Sequence, residues 1–153
     1  MVDIETRLSE LGLELPEAVA PVANYAPFAK SGQTVYISGQ ISLDAHGLVT
    51  GRLGDTLDLK AGQAAARLCA INLIAQFKAA CGGDLNRVRR VLRLGGFVNV
   101  HPAFTDIPKV INGASDLMVD VFGETGRHAR SAVGVAALPL GAAVEVDAVI
   151  EIA

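Results

Sequence analysis

ARSAVGVAALPLGAAVEVDAVIEIA, residues 129–153, holds two β-rich runs split by Leu138-Pro139-Leu140-Gly141. Proline cannot extend a ladder and glycine accepts tight turns, so the four residues between the runs read as a hairpin. Two charges stand among the apolar residues: Arg130 opens the first run and Glu145 sits early in the second. An ion in an apolar strand must reach solvent or a partner, because burying it alone is very costly. In a simple hairpin Glu145 pairs near Val135 and leaves Arg130 about five residues along, roughly 17 Å away. The two charges then do not neutralise each other within the chain, and each should meet a ligand or a neighbouring subunit.

Upstream, Asp106 and Pro108 open a helix that places Val110, Ala114, Leu117 and Val121 on one stripe, with Ile111, Met118 and Phe122 alongside, until Gly123 stops it. VRRVLRLGGFVNV, residues 88–100, reads as a long strand in which Gly95-Gly96 marks a bulge. Residues 60–81 form an Ala-rich helix ended by Gly82-Gly83. Between Gln40 and Lys60, Asp44, Gly47, Gly51, Gly54 and Asp55 suggest a hairpin and a long loop, and Thr34–Gly39 is a strand. Pro16, Pro21 and Pro27 keep the chain irregular or extended before Thr34. Asp3–Gly12 is a short amphipathic helix with Ile4, Leu8 and Leu11 on one face, part of an N-terminal helical extension over residues 1–14. The order ββ-α-β-α-ββ predicts one α+β domain over residues 1–153, a mixed β-sheet with two main helices packed on one face.

With 153 residues, 51% hydrophobic and 19% charged, the chain suits one domain with a sizeable core. A net charge of −3 gives no global pull toward nucleic acid or acidic lipid. Apolar runs are interrupted before the roughly 18 residues of a membrane span, and the acidic N-terminus lacks a signal core, so a cytoplasmic protein without membrane contact is expected. Cys69 and Cys81, in one helix and about 18 Å apart, cannot bridge. Aromatics are 5% and Trp is absent, which leaves little material for base-stacking platforms. Nucleotide cradles, a hydrolase elbow and paired CxxC motifs are missing, and His46, His101 and His128 lack metal-ligand spacing. The one dense basic run is Arg87, Arg89, Arg90 and Arg93; in a strand Arg87, Arg89 and Arg93 share a face, either a grip for phosphates or a solvated or subunit-contact strip.

Ala129-Arg130-Ser131, Leu138-Pro139 and Val144-Glu145-Val146, in that order, closely resemble the C-terminal signature of the Rid family, the RidA/YjgF-like proteins. The likeness continues through Tyr25, Ser38-Gly39-Gln40, Gly62-Gln63-Ala64-Ala65, Gly96-Phe97-Val98-Asn99 and Val110-Ile111-Asn112, covering residues 15–152. The resemblance implies a chorismate-mutase-like fold, a homotrimer with clefts between subunits, a small carboxylate-bearing ligand and no metal or organic cofactor. It also implies hydrolysis of 2-imino acids or their enamine tautomers to 2-keto acids and ammonia. Carried over by position, Arg130 would clamp the substrate carboxylate and Glu145 would position the attacking water. Tyr25, Ser38, Gly39 and Asn112 would line the cleft, and Ala132 would offer a backbone carbonyl. His128 stands where the deaminases tend to have Pro, Ala132 where they often have Cys, and the loop over residues 42–59 is longer, which marks a divergent subgroup.

The residue types suit that chemistry. A guanidinium matches a carboxylate with two parallel donors, each charge-assisted bond contributing about 1.5–3 kcal/mol. A carboxylate beside a water can orient it and take its proton as it adds to C=N. Two other functions stay open: a noncatalytic small-carboxylate binder or metabolite sensor on the same scaffold, and an endoribonuclease using the Arg87–Arg93 strip.

Overall fold

The computed structural model describes residues 2–18, 20 and 23–153. Helix α1 (Ile4–Glu10) begins where the Asp3 carboxylate accepts the Thr6 N–H at 2.9 Å. Its apolar face lies as the spacing predicts, with Leu8 buried and Ile4 and Leu11 against the core. Asn86 anchors the helix, accepting from the Ile4 N–H and donating to Asp3, while Lys78 pairs with Glu5 at 2.8 Å.

Strands β1 (Phe28–Ser31) and β2 (Thr34–Ile41) form an antiparallel hairpin around Gly32, whose φ of 61° suits a residue without a Cβ. The chain before Thr34, expected to be irregular or extended, is extended over Phe28–Ser31. The last of the three prolines, Pro27, sits one residue before β1 and leaves its ladder donors intact. The turn-rich segment that follows holds a small hairpin of β3 (Leu43–Asp44) and β4 (Gly47–Leu48).

Helix α2 (Leu59–Ala80) starts at Asp58, whose carboxylate accepts the Ala61 N–H, and α3 (Ile107–Phe122) ends at Gly123. The predicted α3 stripe and the residues beside it are all buried. Both helices cover one face of a five-stranded mixed sheet in the order β1-β2-β7-β5-β6, completed by β5 (Val88–Asn99), β6 (Ala129–Val135) and β7 (Val144–Ile152). Phe77, Leu73 and Ile74 of α2 and Ile111, Leu117 and Met118 of α3 meet Val144, Val146, Ala148 and Ile150 of β7 in the core. Cys69 and Cys81 are buried free thiols. Among the described residues, no helix is long and apolar enough to cross a membrane.

Three expectations for the strands are corrected. β6 and β7 are not a hairpin: β6 runs parallel to β5, β7 runs antiparallel to it, and β5 lies between them. The α3 crossover returns the chain parallel to β5. The strict alternation of buried residues along β7 then suits a central strand, paired with β2 on one side and β5 on the other. The bulge is not at Gly95-Gly96, because the register shifts lie between Val88 and Arg90 and between Val91 and Arg93. A Cβ at Gly95 would press on the Asp147 carboxylate and the Arg93 guanidinium, and one at Gly96 on Ile111, so these glycines permit close approach. The bulges also break the arginine face. Arg87 sits in a 3-10 turn and donates to the carbonyls of Ala153 and Cys81, whereas Arg93 lies 3.5 Å from Asp147.

The sheet face away from the helices carries Tyr36 and Val133, 55% and 45% exposed, with half-buried Phe97 and Val149 between them. Glu145, Asp147 and Arg93 stand on that same face.

Candidate functional site

Arg130, the second residue of β6, lies level with Leu94 of β5 and reaches the flank of α3. Its Nη1 donates to Asn112 Oδ1 at 2.9 Å and to Ser115 Oγ at 3.1 Å, and its Nη2 donates to the Pro108 carbonyl at 3.1 Å. Asn112 and Ser115, three apart on the helix, share the face that receives the guanidinium. Among the described residues none accepts from Nε, so one flank of the guanidinium stays available for an external carboxylate.

Ser115 continues the network. Its Oγ lies 2.9 Å from His128 Nε2, and His128 Nδ1 lies 2.6 Å from the Gly126 carbonyl oxygen. A carbonyl only accepts, so the Nδ1 proton stays in place and the neutral ring presents a bare Nε2 to the Ser115 hydroxyl. Burial, with the charge of Arg130 in support, lowers the pKa of His128 against the raising effect of the Gly126 carbonyl. Ser115, His128 and Arg130 line an open cavity of about 390 Å³ with Asp116, Val119 and Arg127.

Glu145 occupies the other face of the sheet, paired with Phe97 on β5 and Ile41 on β2. It fills a gap left by Gly39, where an added Cβ would come within 2.9 Å of Glu145 Cδ. Burial raises the carboxyl pKa, and the neighbouring Asp147 adds to the effect. Burial also raises Asp147, partly offset by Arg93 and the Gly95 N–H. Ser38, beside Gly39, donates through Oγ to the Ala26 carbonyl at 2.7 Å and through its N–H to Pro27. Those bonds tie β2 to the segment that carries Tyr25, which is 57% exposed. Ala132 is half-buried and pairs with Gly96, two residues beyond Arg130.

The chain therefore carries two clusters. Arg130 and Asn112 meet on the α3 flank, Glu145 and Gly39 meet on the open face, and Ser38 and Tyr25 lie at the β2 side. Arg130 and Glu145 are three residues out of level, two strands apart and on opposite faces. Each offset alone is roughly 10 Å. The separation expected from a hairpin holds, but its cause is the intervening β5.

Sequence reasoning missed Ser115 and the bond from His128. The available signal was the i, i+3 spacing of Asn112 and Ser115 on a helix whose opposite stripe is apolar. A cavity of about 880 Å³ between α1, the end of α3 and the start of β5 includes neither cluster.

The sequence and the fold have known relatives. The chain is 52% identical over 151 residues to Protein TCP17 of Trypanosoma cruzi, covering 97% of this chain and 94% of that one. It is 30% identical over 142 residues to a 2-iminobutanoate/2-iminopropanoate deaminase of Dermatophagoides farinae, covering 92% and 94%. A crystal structure of a protein of unknown function from Agrobacterium tumefaciens superposes with a TM-score of 0.92 at 52% identity, covering 98% and 92%. The family described as "YjgF/chorismate_mutase-like, putative endoribonuclease" matches residues 5–152, and the chain belongs to that RidA/YjgF-like family.

Proposed function

We propose that the chain is a subunit of a homotrimeric, cytoplasmic hydrolase that converts 2-imino acids and their enamine tautomers to 2-keto acids and ammonia. Each cleft would join the Arg130 flank of one subunit to the Glu145 face of the next, without metal or organic cofactor. The observation that carries this reading is that Arg130 and Glu145 leave one sheet from opposite faces, so a small substrate can meet both only across a subunit boundary. The apolar side chains on the uncovered sheet face supply contact surface for that boundary. The 30% identical relative that is a deaminase of this kind supports the choice of substrate.

The substrate carboxylate docks on the free flank of Arg130, whose direction Asn112, Ser115 and the Pro108 carbonyl fix. The protonated C=N carbon then faces a water held by Glu145. Burial raises the basicity of this carboxylate, which suits it to accept a proton from the attacking water. The proton then returns from Glu145 to the carbinolamine nitrogen, the C–N bond breaks to release ammonia, and the hydroxyl proton passes to the Glu145 carboxylate or to solvent, leaving the 2-keto acid. An iminium is electrophilic enough for positioning and proton handling to suffice.

In the direct assay, 2-iminopropanoate is generated in situ and ammonia release is compared with the spontaneous rate. The wild type should exceed that rate, and Arg130→Ala should not. Pyruvate should raise the Tm of the wild type by linkage, and Arg130→Ala should lose that rise. Light scattering at micromolar concentration should give three times the mass of one chain; a monomer would remove the cleft. A noncatalytic carboxylate binder is the second reading, because the Arg130 network is complete without Glu145. It prevails if pyruvate binds through Arg130 and no imine is hydrolysed above the spontaneous rate. The endoribonuclease reading ranks third, since Arg87 and Arg93 are engaged separately and form no continuous strip.

A further inference from the structure

We propose that Ser115 is a further ligand-contacting residue of the Arg130 cavity and that His128 positions it, so that the cavity takes up a small carboxylate together with a proton. The inference rests on Arg130 as the carboxylate clamp but not on turnover.

The argument starts from donor and acceptor counts. The Gly126 carbonyl holds the Nδ1 proton of His128, which leaves Nε2 as the ring's only variable site. In the neutral form Nε2 takes the Ser115 hydroxyl proton, while Ser115 Oγ accepts from Arg130 Nη1. The hydroxyl then has no proton for a ligand. When solvent protonates Nε2, that bond must reverse and the ring donates to Ser115 Oγ. Oγ now accepts from both Arg130 and His128, using both lone pairs, and its own proton is free to turn toward an external acceptor. The acceptor must be able to take a hydrogen bond beside a guanidinium, which a carboxylate oxygen does.

Charge works in the same direction. The groups facing His128 are Arg130 from β6, Ser115 and Asp116 from α3, and Arg127 beside it in the chain, with Arg127 paired to Glu124 at 2.7 Å. In the free protein burial and Arg130 disfavour the imidazolium. A carboxylate on Arg130 offsets that positive charge and accepts from Ser115, so it favours proton uptake. By reciprocity the proton favours the carboxylate. Affinity should rise as pH falls from above the titration of His128 in the complex to below its titration in the free protein.

Two measurements test this on the full chain. A long-range ¹H–¹⁵N spectrum of the ligand-free protein at pH 8 should show His128 with Nδ1 protonated and Nε2 bare. An Nε2-protonated ring would overturn the relay before any ligand is added. Calorimetry with pyruvate in buffers of different ionisation enthalpy should show net proton uptake near pH 6.5. Affinity should be about three- to tenfold tighter at pH 5.5 than at pH 8, the size of a shift of half to one pKa unit. In His128→Gln the uptake and most of this pH dependence should vanish, and in Ser115→Ala the acid-side gain should shrink. Binding that needs Arg130 but is equal at both pH values would overturn the relay and leave the carboxylate clamp standing. If pyruvate does not bind at any pH, both fall. If proton uptake appears without imine hydrolysis, the relay stands and the deaminase reading falls.

Discussion

Glu145→Gln should lower the acceleration of imine hydrolysis on the order of 10²-fold or more, the usual scale for a positioned acid or base, while pyruvate continues to raise the Tm. The amide keeps the size of the side chain and can still hold a water, but it cannot accept the proton released as that water adds. Carboxylate binding should survive because the Arg130 network, built from Asn112, Ser115 and Pro108, includes no atom of Glu145. Mixing Arg130→Ala with Glu145→Gln subunits sharpens the test. A cleft shared between subunits lets some mixed trimers regain one intact site, whereas a site within one chain regains none. The same substitution should stabilise the fold. A carboxyl whose pKa is raised on folding binds its proton more tightly in the native state, so its ionisation costs stability above the native pKa. At pH 7 Glu145→Gln should melt higher, and the difference should close as pH falls below about 4, where the glutamate becomes protonated in both states. A loss of activity without a gain in Tm would place the cause outside the buried charge.

Gly113→Ala should destabilise the protein by on the order of 2 kcal/mol, against the sign that helix propensity suggests. Replacing a mid-helix glycine with alanine ordinarily favours the helix by about 1 kcal/mol. Here α3 crosses α2 at that residue, and a Cβ would collide with the backbone carbonyl of Gln63. Backbone cannot rotate away as a side chain does, so the helices must part, and overpacking of this kind costs about 1–3 kcal/mol or more. The Gln63 side chain also donates to the Lys109 carbonyl at 3.0 Å, a bond that separation would stretch. The midpoint of urea unfolding reads the effect directly. An unchanged or raised midpoint would show that the helices can yield there. Because Gly113 lies between Asn112 and Ser115, pyruvate binding should weaken in the same variant.

Much of this architecture was legible in the sequence because periodicity and capping are local. Gly123, at φ 64°, ends α3 as its chemistry requires, Asp106 precedes the first residue of α3 although its side chain makes no capping bond, and the apolar stripe of α3 is buried residue for residue. Strand pairing was less legible. Leu138-Pro139-Leu140-Gly141 carries the composition of a hairpin turn, yet the partner of β7 is decided by which strands must cover the helices, a property of the whole sheet. The arginine run misled for a related reason: bulges reset the side-chain alternation, and β-branched composition alone does not reveal them. At the site, Arg130 and Glu145 stood out as charges among apolar residues. Ser115 is an ordinary helical serine until the fold brings β6 alongside α3.

The placement of β5 between β6 and β7 also bears on how such a protein diverges. Residues with no shared partners and more than about 7–10 Å apart contribute nearly additively, so change at one rarely disturbs the other. The wall around Arg130 is made by α3 and the segment leading into β6, whereas Glu145 is seated by β2, β5 and Asp147. Substitutions such as a histidine at position 128 can reshape the cavity beside Arg130 while Glu145 keeps its setting within the same chain. Within one subunit, selection can vary the wall around Arg130 without rebuilding the seat of Glu145.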